Sequence, residues 1–226
     1  MFDLSRLGAW ADLPFFKESL PQIETRLKAE NRTILPPAPL IFHALERVQP
    51  DDVRVVILGQ DPYHTVGKAH GLAFSITASF GGRLDSLGNI FKELNDDLNV
   101  KRTCTQLDDW ADQGVLLLNT ILTVPESQPK GHAKLGWQVL TDQVLRHLAN
   151  RPRAYLLWGG PAHNAALSVD AETNFKLQSS HPSPLGVTKS GKTFEAFRGS
   201  KPFSRTNAWL REHGHRSINW GDPEAP

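Results

Sequence analysis

This sequence predicts an α/β fold, with one mainly parallel sheet inside a single domain spanning residues 1–226. Short apolar runs recur along the chain without alternation, as in strands covered on both faces. Between them lie segments whose apolar residues repeat at helical spacing, and alternation of strand with helix marks a parallel sheet. A length of 226 residues fits one such domain.

Near the amino end, residues 16–27 and 40–48 read as helices, separated by Pro36-Pro37-Ala38-Pro39. The first strand, 53–58, ends in Gly59-Gln60-Asp61. Residues 86–98 carry Leu87, Ile90, Phe91, Leu94 and Leu98 on one helical face. The second strand, 115–118, ends in Asn119-Thr120. Residues 137–148 form the next helix, through Trp137, Leu140, Val144, Leu145 and Leu148, and Asn150 with Pro152 closes it. The third strand, 154–158, ends in Gly159-Gly160, after which Pro161 can start a helix through Leu167. The fourth, 175–177 with its flank, runs into Ser179-Ser180-His181, and residues 221–226 are expected to fray. In open parallel sheets ligands bind beyond the carboxyl ends of the strands. Asp61, Asn119 and His181 are therefore expected in one pocket.

Cys104 is the single cysteine, which excludes an internal disulfide and a cysteine-based metal site. That usage suits a reducing cytoplasm, the location expected for the chain. Met1-Phe2-Asp3-Leu4 begins no signal peptide, and no apolar run is long enough for a bilayer. The net charge of +1 points to no partner, but its distribution is uneven. Lys189, Lys192, Arg198, Lys201, Arg205, Arg211 and Arg216 are opposed locally only by Glu195 and Glu212, whereas Glu93, Asp96, Asp97, Asp108, Asp109 and Asp112 make another region acidic. Such asymmetry can steer an anion such as DNA to one face; the alternative is a solvated surface.

Two clusters carry the chemistry. Gly59-Gln60-Asp61-Pro62-Tyr63-His64 places an acid, a rigid proline, an aromatic ring and a histidine after a buried strand, and His181-Pro182-Ser183-Pro184-Leu185 follows another. Together with Gly71-Leu72-Ala73-Phe74-Ser75, residues 114–120 and Leu156-Leu157-Trp158-Gly159, they resemble the family 1 uracil-DNA glycosylases, in order, over about residues 35–220. Residues 132–137, 203–210 and 218–220 are weaker matches. The resemblance implies a four-stranded parallel sheet flanked by helices on both faces. It implies hydrolytic removal of uracil from DNA, after nucleotide flipping, as the first step of base excision repair. It implies no metal or cofactor, a monomer, single- or double-stranded DNA containing uracil as partner, and no membrane. It also admits protein inhibitors of that family.

The family's roles carry over position by position. Breaking the bond between uracil N1 and deoxyribose needs negative charge near the sugar and hydrogen-bond donors at the base. Asp61 resembles the residue that orients water and stabilises the sugar cation, and His64 the helper that holds the water or a nearby phosphate. His181 resembles the donor to uracil O2, for which a neutral imidazole suffices. Asn119 resembles the amide that accepts uracil's donor–acceptor pair and rejects cytosine's reversed one. Tyr63 would stand against C5, where thymine has its methyl group, Phe74 would stack on the base, and the Gln60 main chain would complete the pocket. Leu185 resembles a wedge that fills the gap left by the flipped nucleotide. Ser86, Ser183 and the stretch around His132 resemble loops that grip the phosphates.

Two departures stand out. Phe80-Gly81-Gly82-Arg83-Leu84-Asp85 replaces a loop that the family usually writes with proline, and glycine raises the entropy cost of ordering it. The segment after Leu185 is also longer than usual, and its Lys189, Lys192 and Arg198 are expected to contact phosphates beside the flipped nucleotide. The competing readings are a metal-dependent hydrolase using Asp61, His64, His132 and His181, a nonenzymatic DNA-damage-binding module, and a glycosylase of relaxed specificity.

Overall fold

Val55–Gly59 (β2), Val115–Asn119 (β3), Ala154–Trp158 (β5) and Phe175–Ser179 (β6) pair into one sheet of order β3-β2-β5-β6, every pair parallel. The computed structural model describes residues 2–223. β2, β3 and β5 are buried along their whole length, as their unbroken apolar sequences require, while the edge strand β6 is only partly covered. The register sets Val55 opposite both Val115 and Ala154, and Gly59 opposite Asn119. A second sheet of two short antiparallel strands, Ile34–Leu35 (β1) and Val124–Pro125 (β4), lies apart from the first.

The helices are Phe15–Glu18 (α1), Leu20–Lys28 (α2), His43–Arg47 (α3), Ser86–Leu98 (α4), Asp108–Ala111 (α5), Gln138–His147 (α6), Gly160–Ala165 (α7) and Pro202–Glu212 (α8). α4 occupies the residues its periodicity predicts. The helix expected over 16–27 is interrupted at Ser19 instead. Pro21 has no N–H to donate, and its ring would meet the preceding turn, so a new helix starts around it. α8 escaped the sequence reading because its buried face, Pro202, Phe203, Thr206, Asn207 and Leu210, includes two polar residues. Among the described residues, no helix is long and apolar enough to cross a membrane.

Folding brings part of the acidic segment against part of the basic one. α4 packs along α8, which turns acidic residues of one segment into partners for the basic other. Glu93 is buried and accepts the main-chain N–H groups of Gly199 (2.8 Å) and Lys201 (3.0 Å). One turn later Asp97 accepts those of Phe203 (3.0 Å) and Ser204 (2.8 Å), capping the start of α8 from outside that helix. Arg198 faces Glu93 and Asp96, each at 3.9 Å, and Arg205 pairs with Glu195 at 2.6 Å. Gly221 and Asp222, the first residues of the tail expected to fray, make tertiary hydrogen bonds. Arg102 donates to the Gly221 carbonyl, and Asp222 accepts from the main chain of Thr103 and Cys104, so these residues are tied down. Residues 224–226 of that expected tail lie outside the described residues.

Replacing the α4 cap, as Asp97→Ala, leaves the Phe203 and Ser204 N–H groups without their acceptor. Urea unfolding is expected to show a loss of about 1–2 kcal/mol; an unchanged midpoint would mean that this cap contributes nothing.

Candidate active site

A cleft of about 670 Å³ opens at the carboxyl ends of the parallel strands. Asp61, Tyr63 and His64 enter it from the turn after β2, Asn119 from the end of β3, and His181, Ser183 and Leu185 from the turn after β6. Gln60, Phe74 and Ser86 complete the set of sequence candidates that line it. The strand order explains the convergence. The chain leaves β2 toward β3 and then crosses to β5 on the other side, and a crevice forms where the winding reverses.

Local packing sets each group. Gly59 is required opposite Asn119, because a Cβ at position 59 would lie 2.1 Å from Asn119 Oδ1. The Gln60 carbonyl accepts from Ile121 N–H (2.9 Å) and Thr120 Oγ1 (3.0 Å), lacing the two strand ends together. Phe74 sits at φ +66°, inside a turn that Ala73 N–H ties to the Leu117 carbonyl at 3.0 Å. Its ring centroid is 5.2 Å from that of Trp158 and 5.8 Å from that of His181. Tyr63 donates its hydroxyl to the Phe74 carbonyl at 3.3 Å, and burial pushes its phenol far above the ordinary value.

Asp61 and His181 have opposite electrostatic settings. Burial raises the Asp61 carboxyl, while a hydrogen bond from Lys130 N–H to Oδ2 (2.7 Å) and the charges of Lys130 and His64 oppose that rise. Burial, aided by Lys130, brings the His181 ring down to about 4. The ring is therefore neutral at pH 7. Ser183 N–H donates to its Nδ1 at 3.0 Å, which leaves the ring proton on Nε2.

Several residues that position the site had no signal in their side-chain type. Lys130 acts on Asp61 through its main-chain N–H, presented at φ +63°. His163 Nε2 lies 3.0 Å from both the Leu157 and the Ser179 carbonyls, and a nitrogen between two acceptors must be the donor. This latch joins β5 to β6 where both reach the cleft. Behind Phe74, Ser75 Oγ accepts from Leu107 N–H (3.1 Å) and meets His70 Nδ1 (3.0 Å), and His70 adjoins Asp108 at 3.5 Å.

Four sequence candidates stand elsewhere. His132 is 4% exposed and does not line the cleft. Thr123 Oγ1 accepts from Trp137 Nε1 (2.7 Å) and is hydrogen-bonded to His132 Nδ1 (2.9 Å), while Glu30 lies 3.7 Å from Nε2. Its side chain is thus committed to packing, which leaves any phosphate contact of this stretch to the main chain. The hydrolase reading that needed it as a metal ligand loses that ligand as well. Arg198 is exposed, faces the acids of α4 and does not line the cleft. Lys189 and Lys192 are exposed but outside the cleft lining. Their segment is not free: Gly191 N–H donates to the Phe194 carbonyl (3.0 Å), and the Phe194 ring lies 5.4 Å from that of His163. Leu185, at 84% exposure, stands at the cleft rim on a turn held by Ser183 O, which accepts from Gly186 and Val187 at 2.9 Å each.

Comparison with known proteins agrees with this geometry. The family model of the uracil DNA glycosylase superfamily matches residues 46–211. The curated uracil-DNA glycosylase of Ruegeria sp. is 46% identical over 96% of this chain and 90% of its own length. The crystal structure of mimivirus uracil-DNA glycosylase superposes with a TM-score of 0.87 at 25% identity, covering 98% of this chain and 88% of that one. A substituted mimivirus UNG in complex with UGI superposes at 0.86 with 26% identity, over 98% of this chain and 91% of that one.

The tautomer of His181 is directly observable. Long-range ¹H–¹⁵N correlation spectra are expected to show an unprotonated Nδ1 and a protonated Nε2 at neutral pH, with titration only near pH 4. A ring that gains its proton at the ordinary histidine pH would contradict the assignment.

Proposed function

We propose a division of labour for a chain that belongs to the uracil DNA glycosylase superfamily and removes uracil from DNA by hydrolysing the bond between base and deoxyribose. That activity makes it a hydrolase of base excision repair. Within the superfamily we assign it to family 1, on its Gly59–His64 and His181–Leu185 motifs.

Asp61, as carboxylate, orients the attacking water and stabilises positive charge developing on the sugar. His181 donates its Nε2 proton in a hydrogen bond to O2 of the departing base and stays neutral while doing so. A cationic ring would be a stronger donor but is excluded by its buried setting. Asn119 reads the O4 acceptor and N3 donor of uracil. Cytosine presents the reverse pair and would leave buried groups unmatched. Tyr63 closes the space at C5, Phe74 stacks on the base, and the Gln60 main chain completes the pocket. His64, exposed at the mouth, holds the water or a phosphate. Leu185 enters the stack as the nucleotide leaves it, while Ser86 and Ser183 contact the phosphates. Lys189 and Lys192 add phosphate contacts from the long segment beyond the wedge.

The observation that carries this reading is the meeting of Asp61 and the neutral His181 in one cleft with Tyr63, Phe74 and Asn119. UGI is a partner of a mimivirus UNG variant of the same fold, and we extend protein-inhibitor binding to this chain on that ground. A monomeric, cytoplasmic enzyme without cofactor completes the proposal.

Asp61→Asn tests the chemistry. Single-turnover uracil release is expected to fall by about 10²–10³-fold with DNA binding retained, because the charge acts chiefly in the transition state. In the wild type, burial moves the acid limb of the rate above the ordinary aspartate pKa, so activity is lost as pH falls through that raised value. Turnover of Asp61→Asn at the wild-type rate would remove Asp61 from the mechanism.

Leu185→Ala tests the wedge. Excision from duplex DNA is expected to drop about tenfold more than excision from single strands, since only a duplex must be held open at a cost of a few kcal/mol. Equal losses on both substrates would show that Leu185 is no wedge.

A further inference from the structure

Lys68 has its side chain only 4% exposed, an uncommon setting for a lysine. Its Nζ donates to the Arg83 carbonyl (2.7 Å) and to Asp85 Oδ2 (2.6 Å). The same ammonium lies 4.5 Å from the centroid of the Tyr63 ring and 5.2 Å from that of Phe80. Its own backbone is pinned: Lys68 N–H donates to Thr65 O, Thr77 N–H donates to Lys68 O, both at 3.2 Å, and Ala69 bridges to Ile76 beside it. Opposite this fixed point runs the loop 80–85, which contains Gly81 and Gly82. The loop ends at Asp85, a non-glycine residue at φ +50°, directly before Ser86 begins α4. Such a backbone conformation persists only where its surroundings hold it.

We propose that Lys68 is a positioning residue for uracil excision, which fastens the 80–85 loop against the Tyr63 ring and so fixes where Ser86 meets the DNA backbone. The proposal rests on the reading of Ser86 as a phosphate contact. The ammonium is well suited to the task. Its charge is met by a carboxylate, a carbonyl and an aromatic face, without which its burial would be costly. Arg83 Nε also reaches Asp85 Oδ1, at 3.0 Å, but from a side chain 75% exposed, where an ion pair contributes little. With Lys68 removed, a loop containing two glycines samples more conformations, and DNA must order it again on binding. That cost falls on substrate binding. Asp61 and His181 are held by other elements, so the chemical step is untouched. A metal role for the nearby His43, His70 and Asp108 is disfavoured by comparison, because Arg47 already lies 3.6 Å from the Asp108 carboxylate.

The test is steady-state excision of uracil from a single-stranded oligonucleotide by Lys68→Met, Asp85→Asn, the double variant and Ser86→Ala. Methionine keeps the volume of the lysine stem without its charge. Each of the first two is expected to raise KM about fivefold or more with kcat within about twofold, and the double variant to be no worse than either single one. Unchanged KM in both singles alongside a raised KM in Ser86→Ala would overturn the role of Lys68. So would losses that add in the double variant, or a fall in kcat at unchanged KM. If Ser86→Ala leaves KM unchanged while Lys68→Met raises it, the loop role of Lys68 stands and the reading of Ser86 falls. Should Lys68→Met fail to fold, Asp85→Asn decides the question alone, since Asp85 is 40% exposed and its loss leaves no cavity.

Discussion

The register that sets Gly59 opposite Asn119 is the constraint on which the rest of the site depends. Parallel pairing brings the carboxyl ends of β2, β3, β5 and β6 to one rim, so residues far apart in sequence share one cleft. At that rim the strand ends would collide if both carried side chains. A glycine on β2 leaves the space that the Asn119 amide fills, and the contact is too close for any Cβ. The same principle acts at Gly159, whose φ of +95° and approach to His181 bring the β5 and β6 turns together.

The electrostatics of the cleft divide along the same rim. The proposed roles need a carboxylate on one side and a neutral donor on the other, and burial alone would neutralise both groups. Lys130 separates the two outcomes. Its positive charge favours the ionised form of Asp61 and disfavours the ionised form of His181, and its main-chain N–H binds the carboxylate directly. One loop residue thus biases both groups toward the protonation state that an oxocarbenium-like transition state calls for.

Around this centre the loops are held by tertiary contacts rather than by their own stiffness. His163 latches β5 to β6, Asn89 Nδ2 holds the Pro182 carbonyl at 2.8 Å, and Glu93 and Asp97 anchor the return of the long segment after Leu185. Lys68 does the same for the glycine-containing loop before α4. The exposed groups proposed to meet DNA therefore stand on turns whose bases are buried, which limits the ordering cost of binding.

The apolar runs and their turn-forming ends announced the parallel sheet and Asn119, and the two motifs announced Asp61, Tyr63 and His181, because strand burial and pocket chemistry both restrict residue type. α4 was legible to the residue, since its buried face is apolar. α8 was not, since Thr206 and Asn207 share its buried face. His132 and Arg198 stand outside the cleft lining for a common reason: a polar side chain in a promising stretch carries no mark of the direction in which it points. Folding buried His132 against Thr123 and turned Arg198 to Glu93 and Asp96. By itself the sequence determined the architecture and which residues gather in the cleft, since both depend on residue type and spacing. Only the tertiary structure decided which basic groups face acids, and how Lys130, His163 and Lys68 are held around the cleft. Those roles arise from main-chain donors and long-range pairs, and neither leaves a local pattern in the chain.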